Sequence, residues 1–157
     1  MTRTISGRVA ELGYALEAAS APAANYVPFV QDGNLLYISG QISRQGGKPA
    51  YLGQLGNQVS DADGVAAAKL SGLGILSQIA AATGDRLDRV ARVVRLGVFV
   101  ASTPDFNRQS AIANGASDLM VDVFGDAGRH ARSAVGVASL PQGVSVEVEA
   151  VIALTPA

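Results

Sequence analysis

The stretch from Ser60 to Gly84 constrains the fold more than any other part of the chain. Ser60-Asp61-Ala62-Asp63 reads as a helix start, with a capping hydroxyl and two acids at the positive end of the helix dipole. The helix is expected to run to about Thr83 and to stop at Gly84. Along it Val65, Ala68, Ile75 and Ile79 share one face, and Leu70, Leu73 and Ala80 widen that face. An apolar stripe this broad suits a sheet. Gly72 and Gly74 inside the helix cost about 1 kcal/mol each relative to Ala, and close packing on that sheet is the expected reason.

The rest of the chain supplies the strands. A short helix is expected over Ile5 to Leu16, then a linker over Ala18 to Ala24. Tyr26 to Val30 and Asn34 to Ile42 read as strands around Gln31-Asp32-Gly33. Gln45-Gly46-Gly47-Lys48-Pro49 reads as a loop; its two glycines precede no helix and suit a turn rather than a phosphate cradle. Arg89 to Val100 is rich in β-branched residues and reads as a strand. Thr103-Pro104-Asp105 opens a second long helix, Phe106 to Phe124, closed near Gly125. Strands over Ala131 to Leu140 and Ser145 to Leu154, turned by Pro141-Gln142-Gly143, end the chain. The order α-ββ-α-β-α-ββ means α+β, with helices on one face of a mixed sheet.

At 157 residues one domain is expected, with a core burying roughly 68–70% of the unfolded surface. The formal net charge is -1, so no basic field gathers phosphate, and nucleic acid is not an expected partner. There is no cysteine and one histidine, His130, which excludes disulfides, thiolate metal sites and a cysteine nucleophile. No metal or other cofactor is expected. Charged residues are 16% of the chain, against about 25% in an average domain, which points to surface buried in an oligomer. The start, Met1-Thr2-Arg3-Thr4-Ile5-Ser6, lacks the apolar region of a signal peptide, and no run of 18 apolar residues occurs. The expectation is a cytoplasmic protein with no membrane partner.

The last two strands carry the candidate chemistry. Arg132, Ala134 and Gly136 alternate onto one face, and Ser133, Val135 and Val137 onto the other. Glu147 and Glu149 likewise share a face. A two-residue Gln142-Gly143 hairpin loop would place Arg132 on the same face as Glu147 and Glu149. One arginine, two carboxylates and two small side chains would then line a pocket wall. The plain alternative is an ion pair on a solvated sheet face. Glu149 reads as a structural ion-pair partner, with a subunit interface as one place for the pair. His130 reads either as an acid or base at the pocket rim or as a loop residue making a structural hydrogen bond.

The segment Ala131-Arg132-Ser133-Ala134-Val135-Gly136-Val137-Ala138-Ser139-Leu140-Pro141, followed by Val146-Glu147-Val148-Glu149-Ala150, resembles the C-terminal signature of the RidA/YjgF family. These proteins are reactive-intermediate deaminases, also labelled endoribonuclease L-PSP. Asn34 to Ile42, with Ser39-Gly40-Gln41, is similar to the family's early strand, and Pro22-Ala23-Ala24 before Tyr26 to its entry segment. The resemblance implies a chorismate-mutase-like α+β fold, with two long helices on one face of the sheet. It also implies a homotrimer with pockets at the subunit interfaces. It implies hydrolysis of small enamines or imines, such as 2-aminoacrylate, to 2-keto acids and ammonia, without cofactor.

By the same resemblance Arg132 holds a substrate carboxylate, which suits a guanidinium fork, and Glu147 positions or activates water. Gly40 and Ala134 offer backbone groups, and Tyr26 forms a wall. The family's pocket asparagine falls on Asn114, with Ser117 and Asp118 as rivals. Ala134 stands where the family often has cysteine, Asn25 replaces the proline before the tyrosine, and the N-terminal helix is an addition. Two other readings use the same fold: a non-catalytic binder of small carboxylates, needing Arg132 but not Glu147, and a ribonuclease or translation inhibitor.

Overall fold

The computed structural model describes residues 3–156; Met1 and Thr2, which belong to the stretch read above for a leader, lie outside it with Ala157. The elements are α1 (Ile5–Glu11), β1 (Phe29–Asp32), β2 (Leu35–Ile42), β3 (Arg44–Gln45), β4 (Lys48–Pro49), α2 (Asp61–Thr83), β5 (Val90–Ala101), α3 (Gln109–Phe124), β6 (Ala131–Val137) and β7 (Val146–Leu154). Five strands form one mixed sheet in the order β1-β2-β7-β5-β6, and β3 and β4 form a separate hairpin. Three of the four pairings are antiparallel; β5 and β6 run parallel, with α3 as the crossover between them. Helix α2 packs over β2 and β7, and α3 lies beside it over β5 and β6. This is the expected α+β arrangement.

Local chemistry accounts for most element ends. The Ser60 side chain accepts from the Asp63 amide, and Gly84 closes α2 in the left-handed region. Helix α1 stops at Glu11, not Leu16, because Gly13 takes a φ of 87° that suits glycine and reverses the chain. Helix α3 starts at Gln109 rather than Phe106, behind an irregular Arg108 that offers no side-chain cap. The expected loop at 45–49 is a turn at Gly46-Gly47 flanked by the short strands β3 and β4. Its two amides donate to the Glu17 carboxylate at 2.6 and 3.1 Å.

The core sits between the sheet and the helices. Leu36, Ile38, Val93, Leu96, Val98, Val148 and Ile152 face Ile75, Leu76, Ile79, Ile112, Leu119 and Met120, all buried. By length and composition α2 is able to cross a membrane, which the lack of an unbroken apolar run did not suggest. In this fold its buried side chains pack on the sheet and α3, and the segment after α1 covers part of its outer side. There Ser77 Oγ donates to the Glu17 carbonyl and Gln78 Nε2 to the Ser20 carbonyl. Gly74 lies against Gln41 of β2, as expected, but Gly72 lies against Ala116 and Leu119 of α3.

The two helices approach tightly at Gly115, where a Cβ would overlap the Val65 backbone carbonyl. A backbone atom cannot swing aside, so Gly115→Ala must spread α2 from α3. The expected destabilisation is about 1–3 kcal/mol, measured by chemical denaturation. A value near zero would show that the helices slide freely at this crossing.

Candidate functional site

The expected C-terminal hairpin does not form. Strand β5 lies between β6 and β7 and pairs with both. Its register fixes which side chains share a face. Leu96 of β5 pairs with Arg132 on one side and Ala150 on the other, and Leu96 is fully buried under the helices. Arg132, Ala134 and Gly136 therefore belong to the helix-covered face. Gly97 pairs with Glu149 and Phe99 with Glu147, so both carboxylates lie on the opposite, helix-free face. Alternation within each strand is as expected; the shared face of Arg132 with Glu147 and Glu149 is not. The cause is the inserted strand, which replaces hairpin pairing by a parallel pairing with β5.

Arg132 reaches from the edge strand β6 to α3. Its Nη1 donates to Asn114 Oδ1 at 2.9 Å and to Ser117 Oγ at 3.0 Å, and Nη2 donates to the Ser110 carbonyl at 3.1 Å. These three partners lie at i, i+4 and i+7, one stripe of the helix. A guanidinium has five N–H donors. Three are engaged, so Nε–H and one Nη2–H remain without partners among the described residues, enough for one two-pronged contact. Of the rivals for the pocket amide position, Asn114 and Ser117 both touch Arg132, whereas Asp118 is exposed and takes no part. Ala134, two residues on, packs at the margin of the core.

Glu147 lies over Gly40. The strand β2 has an irregularity between Ile38 and Gln41, and a Cβ at Gly40 would overlap the Glu147 carboxylate. Gly97 makes the same room for Glu149. Burial, and then the neighbouring Glu149 charge, hold the Glu147 carboxyl above the ordinary carboxylate range. Glu149 instead faces Arg95, whose Nη1 is 3.6 Å away. Its ion pair is thus within the chain, and the plain reading of that residue is correct. Tyr26 is 52% exposed, in the segment that leads to β1. That segment runs beside Ser39, whose amide donates to the Pro28 carbonyl and whose Oγ donates to the Val27 carbonyl. Gly40 and Glu147 thus form one group, with Tyr26 on the neighbouring segment, and Arg132, Asn114 and Ala134 form another.

His130 makes hydrogen bonds on both ring nitrogens. Nε2 is 2.8 Å from Ser117 Oγ, and Nδ1–H donates to the Gly128 carbonyl at 2.6 Å. The Ser117–His130 link to Arg132 was missed in the sequence, where nothing relates residue 117 to residue 130. Among the described residues no three His, Asp or Glu side chains gather as a metal-ligand set. The helix-free face carries Val30, Tyr37 and Val135, each about half exposed, with Arg95 and Glu149 between them.

Residues 6–148 match the family described as "YjgF/chorismate_mutase-like, putative endoribonuclease". Protein TCP17 of Trypanosoma cruzi is 52% identical over 159 residues, which cover 98% of this chain and 99% of that protein. Two crystal structures are similar throughout. The protein Atu1372 of Agrobacterium tumefaciens, of unknown function, is 47% identical with a TM-score of 0.90, covering 96% of this chain and 92% of that one. A "putative endoribonuclease" from Shewanella oneidensis is 31% identical with a TM-score of 0.92, covering 97% and 100%.

Proposed function

This chain belongs to the YjgF/chorismate-mutase-like family, and from that premise we propose that it hydrolyses small carboxylate-bearing imines and enamines to 2-keto acids and ammonia. The observation that carries this reading is the Arg132 guanidinium. Asn114, Ser117 and Ser110 hold it still, and one fork of N–H donors is left for a planar carboxylate. An iminium carbon is already electrophilic. The protein must fix the carboxylate, place a water beside the carbon and take a proton. Glu147 is the base: a carboxyl held above its ordinary value binds a proton more readily than a free one.

Arg132 and Glu147 lie on opposite faces of one sheet, so one chain alone does not present both to one substrate. We therefore propose a homotrimer in which each pocket draws Arg132, Asn114 and Ala134 from one copy and Tyr26, Gly40 and Glu147 from its neighbour. Three features support this: the free edge of β6, the half-exposed Val30, Tyr37 and Val135, and the low charged fraction. A ribonuclease reading is less well supported, because Arg95 on the open face is opposed by Glu149 instead of belonging to a basic path.

The reading is tested by ammonia release from imines generated in place by an amino-acid oxidase. The expected result is a rate above the uncatalysed background that scales with protein concentration. No enhancement with any imine in a panel would leave a carboxylate-binding protein instead. Shared pockets are tested by co-expressing Arg132→Ala and Glu147→Gln chains, each inactive alone. Random assembly gives about one intact site in four, because each half is drawn independently from two chain types. No recovered activity would place both groups in one subunit.

A further inference from the structure

The pair of donors that Arg132 keeps for a carboxylate, Nε–H with one Nη2–H, does not include Nη1, the nitrogen that donates to Asn114 and Ser117. Those two contacts therefore hold the guanidinium by the side turned away from a ligand. The Ser110 carbonyl on Nη2 is backbone and is fixed by the helix, whereas Ser117 offers a hydroxyl that rotates. A serine inside a helix also has a competing acceptor, the carbonyl four residues back, here that of Ala113.

His130, just ahead of β6, removes that competition. Its Nδ1 is 2.6 Å from the Gly128 carbonyl, which only accepts, so Nδ1–H is the donor there. Nε2, 2.8 Å from Ser117 Oγ, is then the acceptor of the neutral ring and takes the Ser117 O–H. The serine oxygen is left to accept from Arg132 Nη1 at 3.0 Å. A charged ring donates from Nε2 to the same oxygen, which has two acceptor positions and keeps one for Nη1, so the hold is the same in either form. The ring is itself tied to the helix. Gly128 is buried, and a Cβ there would overlap the Met120 carbonyl of α3. Helix α3, Gly128, His130 and Ser117 thus make a closed frame, and Arg132 rests on it.

We propose that His130 is a positioning residue for the Arg132 anchor: by fixing the Ser117 hydroxyl it sets the plane of the guanidinium and so the affinity for the substrate carboxylate. This rests on the reading of Arg132 as the carboxylate anchor and adds the residue that orients it in advance. A fork already in its bound orientation loses less freedom when the ligand arrives. The carboxylate takes no part in bond making or breaking, so the fork grips it alike in the bound substrate and in the transition state. A loosened fork therefore raises KM and leaves kcat in place.

The test is calorimetric pyruvate binding, which reads the anchor without turnover, in wild type, His130→Leu, His130→Gln, Ser117→Ala and the double variant His130→Leu/Ser117→Ala. His130→Leu and Ser117→Ala should each weaken binding about tenfold. His130→Gln keeps an oxygen to accept the Ser117 O–H and should stay within about threefold of wild type. Because His130 acts through Ser117, the double variant should bind no more than about threefold weaker than either single one. In ammonia release His130→Leu should raise KM about tenfold with kcat within about threefold. Wild-type affinity in His130→Leu, or losses that multiply to about 10²-fold in the double variant, overturns the positioning role while Arg132 remains the anchor. Unchanged pyruvate affinity in Arg132→Ala overturns the anchor reading and the positioning role with it.

Discussion

Arg132→Ala is expected to weaken pyruvate binding by about 10²–10⁴-fold and to abolish imine hydrolysis. The free fork makes two charge-assisted hydrogen bonds to a carboxylate, each worth about 1.5–3 kcal/mol, and each 1.4 kcal/mol is about tenfold in affinity. The fold should survive, because Asn114 is exposed, Ser117 is partly exposed and water replaces the guanidinium at both. Arg132→Lys should restore little. An ammonium is a point charge with three donors, unable to satisfy Asn114, Ser117 and Ser110 and still offer a planar pair to the ligand. Calorimetry with a 2-keto acid decides the matter. Unchanged affinity in the alanine variant would move the anchor elsewhere, with Arg95 on the other face the next residue to replace.

Glu147→Gln should cut turnover by about 10²–10⁴-fold, the usual share of a general acid–base group, with ligand affinity nearly kept. If the protein is a carboxylate sensor, the same change leaves its function intact, so this variant separates the two readings. It carries a second expectation of opposite sign. Burial and Glu149 raise the Glu147 carboxyl above its ordinary value. A group raised on folding contributes stability that is fully present below its unfolded value and lost as pH rises through the folded one. At neutral pH the ionised Glu147 is therefore a cost, which glutamine removes. Thermal melts should show Glu147→Gln more stable than wild type at pH 7, with the gap closing below about pH 4, where a free glutamate is protonated. A less stable variant at pH 7 would mean that the charge finds a favourable partner in the assembled protein. Loss of activity with gain of stability is the pattern expected where a site holds a group in an uncomfortable place.

What was legible in the sequence and what was not separate along one physical line. The Ser60 cap and the Gly84 stop act within one turn of helix and are decided by neighbours in sequence, so α2 was readable at both ends. Helix α1 ends by an equally local device, the positive φ of Gly13. The pleat is also local: it alone put Arg132 with Ala134, and Glu147 with Glu149. The family resemblance supplied the residues proposed for the chemistry. The relation between the two strands is not local. Sequential strands are neighbours only about two-thirds of the time, and here β5, which ends at Ala101 before α3 and well ahead of β6 at Ala131, enters between β6 and β7. No pairing preference in β6 or β7 alone encodes that choice; it follows from burying both apolar faces of β5 and β7 beneath α2 and α3 at once. The sequence by itself therefore determined the elements, the face each side chain shares within its strand, and the residues proposed to carry the chemistry. Only the tertiary structure decided that Arg132 faces α3, with Ser117 and His130 behind it, while Glu147 faces the open side, because strand order is set by the packing of the whole core.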